Sequence, residues 1–372
     1  MHKSNFLSVF SANITLLFHL MLLLDGLSFM TISLCLFVKI KNRLRLSNHC
    51  FFIYLISLLL YGCETKYHLP DNPKPIPDCP LCHEVRLALV LGGGGARGMA
   101  HVGVLEEFEQ AGIPIDLIVG CSAGSIVGAL YADCPKASYL KKILRPLKKW
   151  DILDVSFWQC RYGFVQGRSL RQFLKKNLRA KYFEELSIPL CCAATDLIEG
   201  EVICLNSGPL IPAVHASAAV PFVFSPVYLH ERLLVDGGVA DPVPVCMAKK
   251  NLAQVVVAVD LSELLPKTCP TNLFGIAARS AEIKFLLQSE SCVKDADVVI
   301  RPELGEVGLF DDHKNELVYE GGRKAAREAI PQIIELLSQK GLWISEEGPC
   351  LNHSLNNCLT IEVENTDVLT PE

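Results

Sequence analysis

Three stretches of this sequence hold residue types that could do chemistry together. Ser122 stands in Gly120-Cys121-Ser122-Ala123-Gly124, between the apolar run 115–119 and the helix-like run 125–132. A GxSxG turn from strand to helix exposes the serine Oγ, and its small residues let the two elements approach without clashes. The helix N-terminus adds partial positive charge that favours a developing alkoxide. The plainer reading is a glycine-rich turn that happens to contain serine. Asp236 follows the apolar run LLV and precedes Gly237-Gly238. It offers a carboxylate as proton acceptor, with a simple turn aspartate as the alternative. A Ser-Asp-His order would need a histidine after Asp236, and only His313 and His353 lie there. His313 has charged neighbours and His353 sits in a polar tail, so the pattern favours an aspartate acting without histidine.

The third stretch is LGGGGARGMAH. Gly93, Gly94, Gly95, Arg97 and Gly98 follow the short apolar run 87–91, and residues 101–110 place Val104, Leu105 and Phe108 on one helical face. Strand, glycine turn and helix in that order point backbone N–H groups at an anion. Gly93-x-Gly95-x-x-Gly98 also satisfies a dinucleotide fingerprint, which requires an acid at the end of the second strand. Asp116 has about the right spacing but precedes the run 117–119 rather than following it.

These motifs need a framework of short buried strands and helices, which the composition supports. The 372 residues are 50% hydrophobic and 20% charged, with 25 Gly and 16 Cys, which excludes collagen-like, coiled-coil and disordered chains. Residues 63–372 carry 30 Lys or Arg against 39 Asp or Glu, too acidic a body for a nucleic-acid binder. Cys121, Cys191, Cys192 and Cys204 lie in apolar, strand-like runs, where free cysteine acts as a small hydrophobe. Cys79 and Cys82 form a CxxC without a second ligand pair, so they read as a disulfide or two idle thiols. The same lack of ligand spacing leads us to expect no catalytic metal and no cofactor.

The mean hydropathy of +0.31 has its excess at the N-terminus. Residues 14–38 are long enough to span a bilayer but contain His19 and Asp25, and Met30 offers a later start. Residues 50–62 suit the hydrophobic region of a secretory signal. That run leads into Gly62-Cys63, which resembles the lipobox of bacterial lipoproteins. The resemblance implies export, lipidation at Cys63 and a membrane-associated product. The expected division is a signal or membrane segment over 1–62, a proline-rich tether over 63–84, a folded domain over 85–340 and a polar tail over 341–372.

Taken together, GGGGARG, GCSAG and DGG resemble the patatin-like phospholipases. Gly98, Ser122 and Asp236 are 24 and then 114 residues apart, and AATDLIEGEV, HASAAVPFVFSPV and DADVVIRPELG also look like family segments. The resemblance covers roughly 86–334. It implies a three-layer α/β/α fold with a central, mostly parallel sheet and a nucleophile elbow. It also implies a serine acyl hydrolase of phospholipase A or lysophospholipase type, acting on membrane lipids. Ser122 would be the nucleophile, Asp236 its proton acceptor, and the loop of Gly93, Gly94, Gly95, Arg97 and Gly98 the oxyanion hole. Cys121 stands where many members have threonine. Two alternatives remain: a non-catalytic lipid- or nucleotide-binding module, and an α/β-hydrolase esterase using His313. Two basic stretches, 139–150 and 167–181, have apolar residues at helical spacing. They read as solvated faces of packed helices, with an anionic membrane surface as the second reading.

Overall fold

In the computed structural model, the described residues are 70, 73–77, 81, 84–155, 162–262, 269–308 and 311–343. All belong to one unit of the chain, residues 69–156 and 162–372. The expected signal segment 1–62, Cys63, Cys79, Cys82 and His353 lie outside them. Among the described residues, no helix is long and apolar enough to cross a membrane.

The apolar runs become strands because both of their faces are covered. β1 (Leu87–Leu91, LALVL) is buried at every position, as a central parallel strand must be. It pairs in parallel with β2 (Leu117–Cys121) on one side and β7 (Val255–Val259) on the other. Further parallel pairs join β2 to β3 (Leu190–Asp196) and β7 to β8 (Val298–Ile300). Three antiparallel pairings complete that end. β4 (Val202–Leu205) and β6 (Arg232–Asp236) both pair with β3, and β5 (Val227–Leu229) pairs with β6. The order β5-β6-β3-β2-β1-β7-β8, with β4 beside β3, is a mostly parallel sheet in an α/β fold.

The larger core lies on the face holding Leu87, Leu89 and Leu91. Its cover includes α1 (Met99–Gln110), α2 (Ala123–Asp133), α3 (Ala137–Leu144), α4 (Arg168–Asn177) and α5 (Leu210–Ser217). On the other face Ala88, Val90 and Cys121 pack under α6 (Val245–Lys250) and under Val293, just past α7 (Leu273–Cys292). The C-terminal α8 (Asn315–Gln339) returns to the first face and crosses α1 at backbone contact. A Cβ on Gly103 would meet the Tyr319 carbonyl at 2.2 Å, and one on Gly322 the Ala100 carbonyl at 2.1 Å. Beside that crossing, the buried Glu107 carboxylate accepts from Arg323 at 2.6 Å and Arg327 at 2.8 Å.

Two expectations change. The second strand begins two residues later than the apolar run suggested, because Asp116 turns back to accept from the N–H groups of Arg86 and Leu87 and from the Arg86 guanidinium. Asp116 therefore fastens the N-terminal ends of β1 and β2, the end away from the glycine loop, and the dinucleotide reading loses its acid. Cys191 and Cys204 are joined in a disulfide between β3 and β4, whereas Cys121 and Cys192 remain buried free thiols. The basic helices bury Leu140, Leu144, Leu170 and Leu174 against the core, the packing expected of them.

Candidate active site

Sheet register brings the two key residues together. Cys121 is paired with Ala193 on β3, and the next β3 residue, Ala194, is paired with Asp236 on β6. Ser122 and Asp236 thus stand at the same height on either side of β3, about 10 Å apart by strand spacing alone. The elbow closes that gap. Ser122 has φ 53° and ψ −117°, a left-handed backbone in a non-glycine residue, which lifts its side chain off the strand end. Such a conformation costs on the order of 1–3 kcal/mol and persists where neighbours hold it. The Ser122 hydroxyl then donates to Asp236 Oδ2 at 2.5 Å. The Gly238 N–H donates to Oδ1 at 2.7 Å, so Gly237-Gly238 forms the turn that aims the carboxylate.

Both residues are buried. Burial raises the Asp236 carboxyl to about 6, against the opposing pull of its bonds from Ser122 and Gly238. That places a carboxylate of unusual basicity against a hydroxyl in a short hydrogen bond, the arrangement that accepts a proton as the hydroxyl oxygen attacks an electrophile.

The glycine loop lies directly over the elbow. A Cβ on Gly93 would come within 3.5 Å of Ser122 Cβ, and one on Gly98 within 2.9 Å of Ala123 Cβ. Close approach is also the reason for Gly120 and Gly124, whose added Cβ atoms would meet Ser125 Cα at 2.6 Å and the Leu91 carbonyl at 2.0 Å. The Gly92 and Gly93 N–H groups donate to the Val259 and Pro242 carbonyls. Gly94 and Gly95 open the 3-10 turn Gly95–Gly98, whose first bond runs from the Arg97 N–H to the Gly94 carbonyl, so their own N–H groups precede the bonds of the turn. Arg97 donates to the Val307 and Leu261 carbonyls at 2.9 and 3.2 Å, tying the loop to the chain beyond β7 and β8.

Three contributors were not visible in the motifs. Ser217, at the end of α5, accepts from the Ser122 N–H at 3.1 Å and donates to the Ala193 carbonyl at 2.5 Å. With its one proton committed there, its 2.7 Å contact with Ser125 makes the Ser125 hydroxyl the donor. This buried relay holds the strained elbow. His101 reaches back from α1 to the Gly92 carbonyl at 2.8 Å. Desolvation depresses its imidazole to about 4, so the neutral ring donates through Nε2. Phe285 of α7 lies 3.2 to 3.4 Å from the Cβ positions of Gly238 and Gly93, forming an apolar wall over the pair. Two of the three lie in segments noted in the sequence, His101 in LGGGGARGMAH and Ser217 in HASAAVPFVFSPV, but neither was singled out there. His313, by contrast, has an 81% exposed side chain beside Asp312. Among the described residues, no cluster of three His, Cys, Asp or Glu is arranged to hold a metal ion.

Comparison with known proteins gives the same family. The patatin-like phospholipase profile matches residues 89–249, from β1 to α6. A patatin-like phospholipase domain-containing protein of Caenorhabditis elegans is 30% identical over 284 residues, which are 67% of this chain and 21% of that protein. An uncharacterized NTE family protein of Mycobacterium bovis is 34% identical over 48% of this chain and 49% of its own length. Lysophospholipase NTE1 of Coccidioides immitis is 29% identical over 70% of this chain and 18% of its own. The chain thus spans between about a fifth and a half of the length of these curated relatives. Among solved structures, VipD from Legionella pneumophila aligns over 66% of this chain and 67% of its own, with a TM-score of 0.44 and 13% identity. Through the domain that contains the elbow, the glycine loop and the DGG turn, the chain belongs to the patatin-like phospholipase family.

Proposed function

We propose that this protein is a serine hydrolase of lipid carboxylic esters, of phospholipase A or lysophospholipase type. The observation that carries the reading is the 2.5 Å bond from the strained Ser122 to the buried Asp236. In the reaction, Ser122 Oγ attacks the ester carbonyl while its proton passes to Asp236. The resulting oxyanion lies under the glycine loop, where the N–H groups of Gly94 and Gly95 are the donors. Each such donor contributes about 3 to 4 kcal/mol to the transition state in a comparable hydrolase. The protonated Asp236 then gives its proton to the leaving alcohol, and water repeats the sequence on the acyl-enzyme. The curated relative named a lysophospholipase supports lipid esters as the substrate class. The test is fluorophosphonate labelling followed by lipid hydrolysis profiling. A wild-type protein that takes no label at Ser122 would revive the non-catalytic lipid- or nucleotide-binding alternative.

The Asp236 carboxyl sets an expected pH profile. Only the carboxylate accepts the proton, so kcat/KM should climb about tenfold per unit at acid pH and level off above about 6. Stability runs the other way. A carboxyl raised in the fold binds its proton more tightly there than in the unfolded chain, so its favourable contribution is complete below about 4 and lost by about 6. Asp236→Asn should therefore unfold at a higher temperature than wild type at pH 7.5 and show little gain at pH 4, measured by calorimetry. His313→Ala should retain most of the activity. Loss comparable to an Asp236 variant, with the fold intact, would instead support the triad.

For localisation, the run 50–62, which ends in Gly62 before Cys63, supports export and lipid anchoring through Cys63. Cys63→Ala should abolish incorporation of labelled fatty acid. A wild-type protein that takes up no labelled lipid would contradict the anchor.

A further inference from the structure

Residues 137–177 contain ten Lys or Arg against Asp151 and Asp154, in a chain of net charge -5. The fold brings α3 and α4, which carry most of these cations, side by side, with Glu316 paired to Arg145 at 2.8 Å at their edge. The Tyr139 hydroxyl of α3 donates to the Asn177 carbonyl at the end of α4 at 3.1 Å, and the helical turn Lys149–Ile152 packs on α4. A cleft of about 570 Å³ on α3 is lined by Lys141, Lys142 and Arg145.

Large apolar side chains emerge beside these cations. Trp150 is 65% exposed, with Lys149 Nζ 5.6 Å from its ring. Val155 is bridged to Val165, and Val165 to Phe224, which brings the basic region against the segment carrying Phe222. Phe222 is 86% exposed on a backbone with φ 67°. For a bulky residue that conformation is a genuine outlier, and it presents an aromatic ring to water.

We propose that this face docks the protein on an anionic bilayer, with Trp150 and Phe222 entering the headgroup boundary and the surrounding lysines and arginines meeting lipid phosphates. Aromatic rings beside a basic rim match that boundary in both polarity and charge. A second copy of the chain fits poorly, because pairing this face with itself would oppose two strongly positive surfaces. The segment from Ser217 to Ser225 connects the face to the dyad. Ser217 holds the Ser122 N–H, the Ala219 carbonyl accepts from the Asp236 N–H at 2.9 Å, and Phe222 follows three residues later. Docking through Phe222 therefore places the lipid contact three residues along the chain from the bond to Asp236. Adsorption goes beyond the hydrolase reading and does not depend on it.

The test uses the full chain carrying Ser122→Ala, Trp158→Phe and Trp343→Phe, which leaves Trp150 as the sole tryptophan of the three. Its fluorescence is followed with vesicles of phosphatidylcholine alone or mixed with phosphatidylglycerol, each with brominated acyl chains. The position of Trp150 is then read directly, whatever the N-terminal segment does. We expect at least twofold quenching and a blue shift on the anionic vesicles, little change on the neutral ones, and reversal in 0.5 M salt. Adding K148E, K149E, K175E and K176E should cut the quenching at least tenfold without altering the far-ultraviolet dichroism, and Phe222→Ser should weaken it with the charges intact. Unquenched Trp150 on anionic vesicles would overturn the proposal, as would equal quenching on both vesicle types. A Trp150 shielded by self-association in the absence of lipid would overturn it in favour of an interface between copies.

Discussion

Replacing Ser122 with alanine or Asp236 with asparagine is expected to remove about three orders of magnitude or more from turnover, as losing one member of a coupled catalytic unit does. The two variants fail for different reasons. Ser122→Ala deletes the atom that would be acylated, so it should lose both hydrolysis and fluorophosphonate labelling. Asp236→Asn keeps the shape of the DGG turn, but an amide cannot take the proton that the hydroxyl donates to Oδ2 across 2.5 Å. The double variant should be little worse than either single one, because each already breaks the same step. Measured single-turnover rates checked against thermal unfolding would decide the matter. A folded Asp236→Asn enzyme with near-normal turnover would remove the aspartate from the mechanism.

The second large effect concerns a glycine. At Gly124 an added Cβ would sit 2.0 Å from the Leu91 carbonyl oxygen and 2.6 Å from its carbon, and both are backbone atoms of a fully buried strand. Neither can rotate away, so Gly124→Ala must push α2 off β1 or distort the elbow. Overpacking of this kind costs about 3 kcal/mol. For a domain of this size that corresponds to a fall of roughly 10 °C in unfolding temperature. Activity should fall with it, since Ser122 is two residues away. Gly112→Ala provides the comparison. It has φ 65° but nothing within 4 Å of its Cβ position, so its cost should stay near the intrinsic left-handed penalty of about 1–2 kcal/mol. Equal shifts in the two variants would show that the contact at 124 relaxes at little cost, since Gly124 has no positive φ to penalise an added Cβ.

The residues that are legible in the sequence are those whose neighbours in the chain do the positioning. Ser122, the loop glycines and Gly237-Gly238 lie in turns whose local composition states their geometry, and buried parallel strands such as LALVL announce themselves as apolar runs. Ser217 was illegible because its partners, the Ser122 N–H and the Ala193 carbonyl, are 95 and 24 residues away. A serine among alanines in a short helix carries no local mark of such a task. Phe285 was hidden for the same reason, since only the fold sets α7 beside the glycine loop. The disulfide between Cys191 and Cys204 depended on β4 returning beside β3, a pairing that hydrophobic pattern alone does not specify. Asp116 shows the opposite case. Its place before the second strand was readable, and the fold explains it by the hydrogen bonds to Arg86 and Leu87.

The close crossing of α1 and α8 through Gly103 and Gly322 separates the segment matched by the family profile from the segment able to fold. The profile match ends at residue 249, yet β7 is the neighbour of β1, and α8 covers the outer side of α1. A protein cut after 249 would expose LALVL as an unpaired sheet edge, which invites strand pairing between molecules and hence aggregation. The remaining piece, 250–343, holds the missing strands and the helix that fits the Gly103 groove. Supplied in trans during refolding, it should return the truncated piece to solution, and a Gly322→Leu version of it should not.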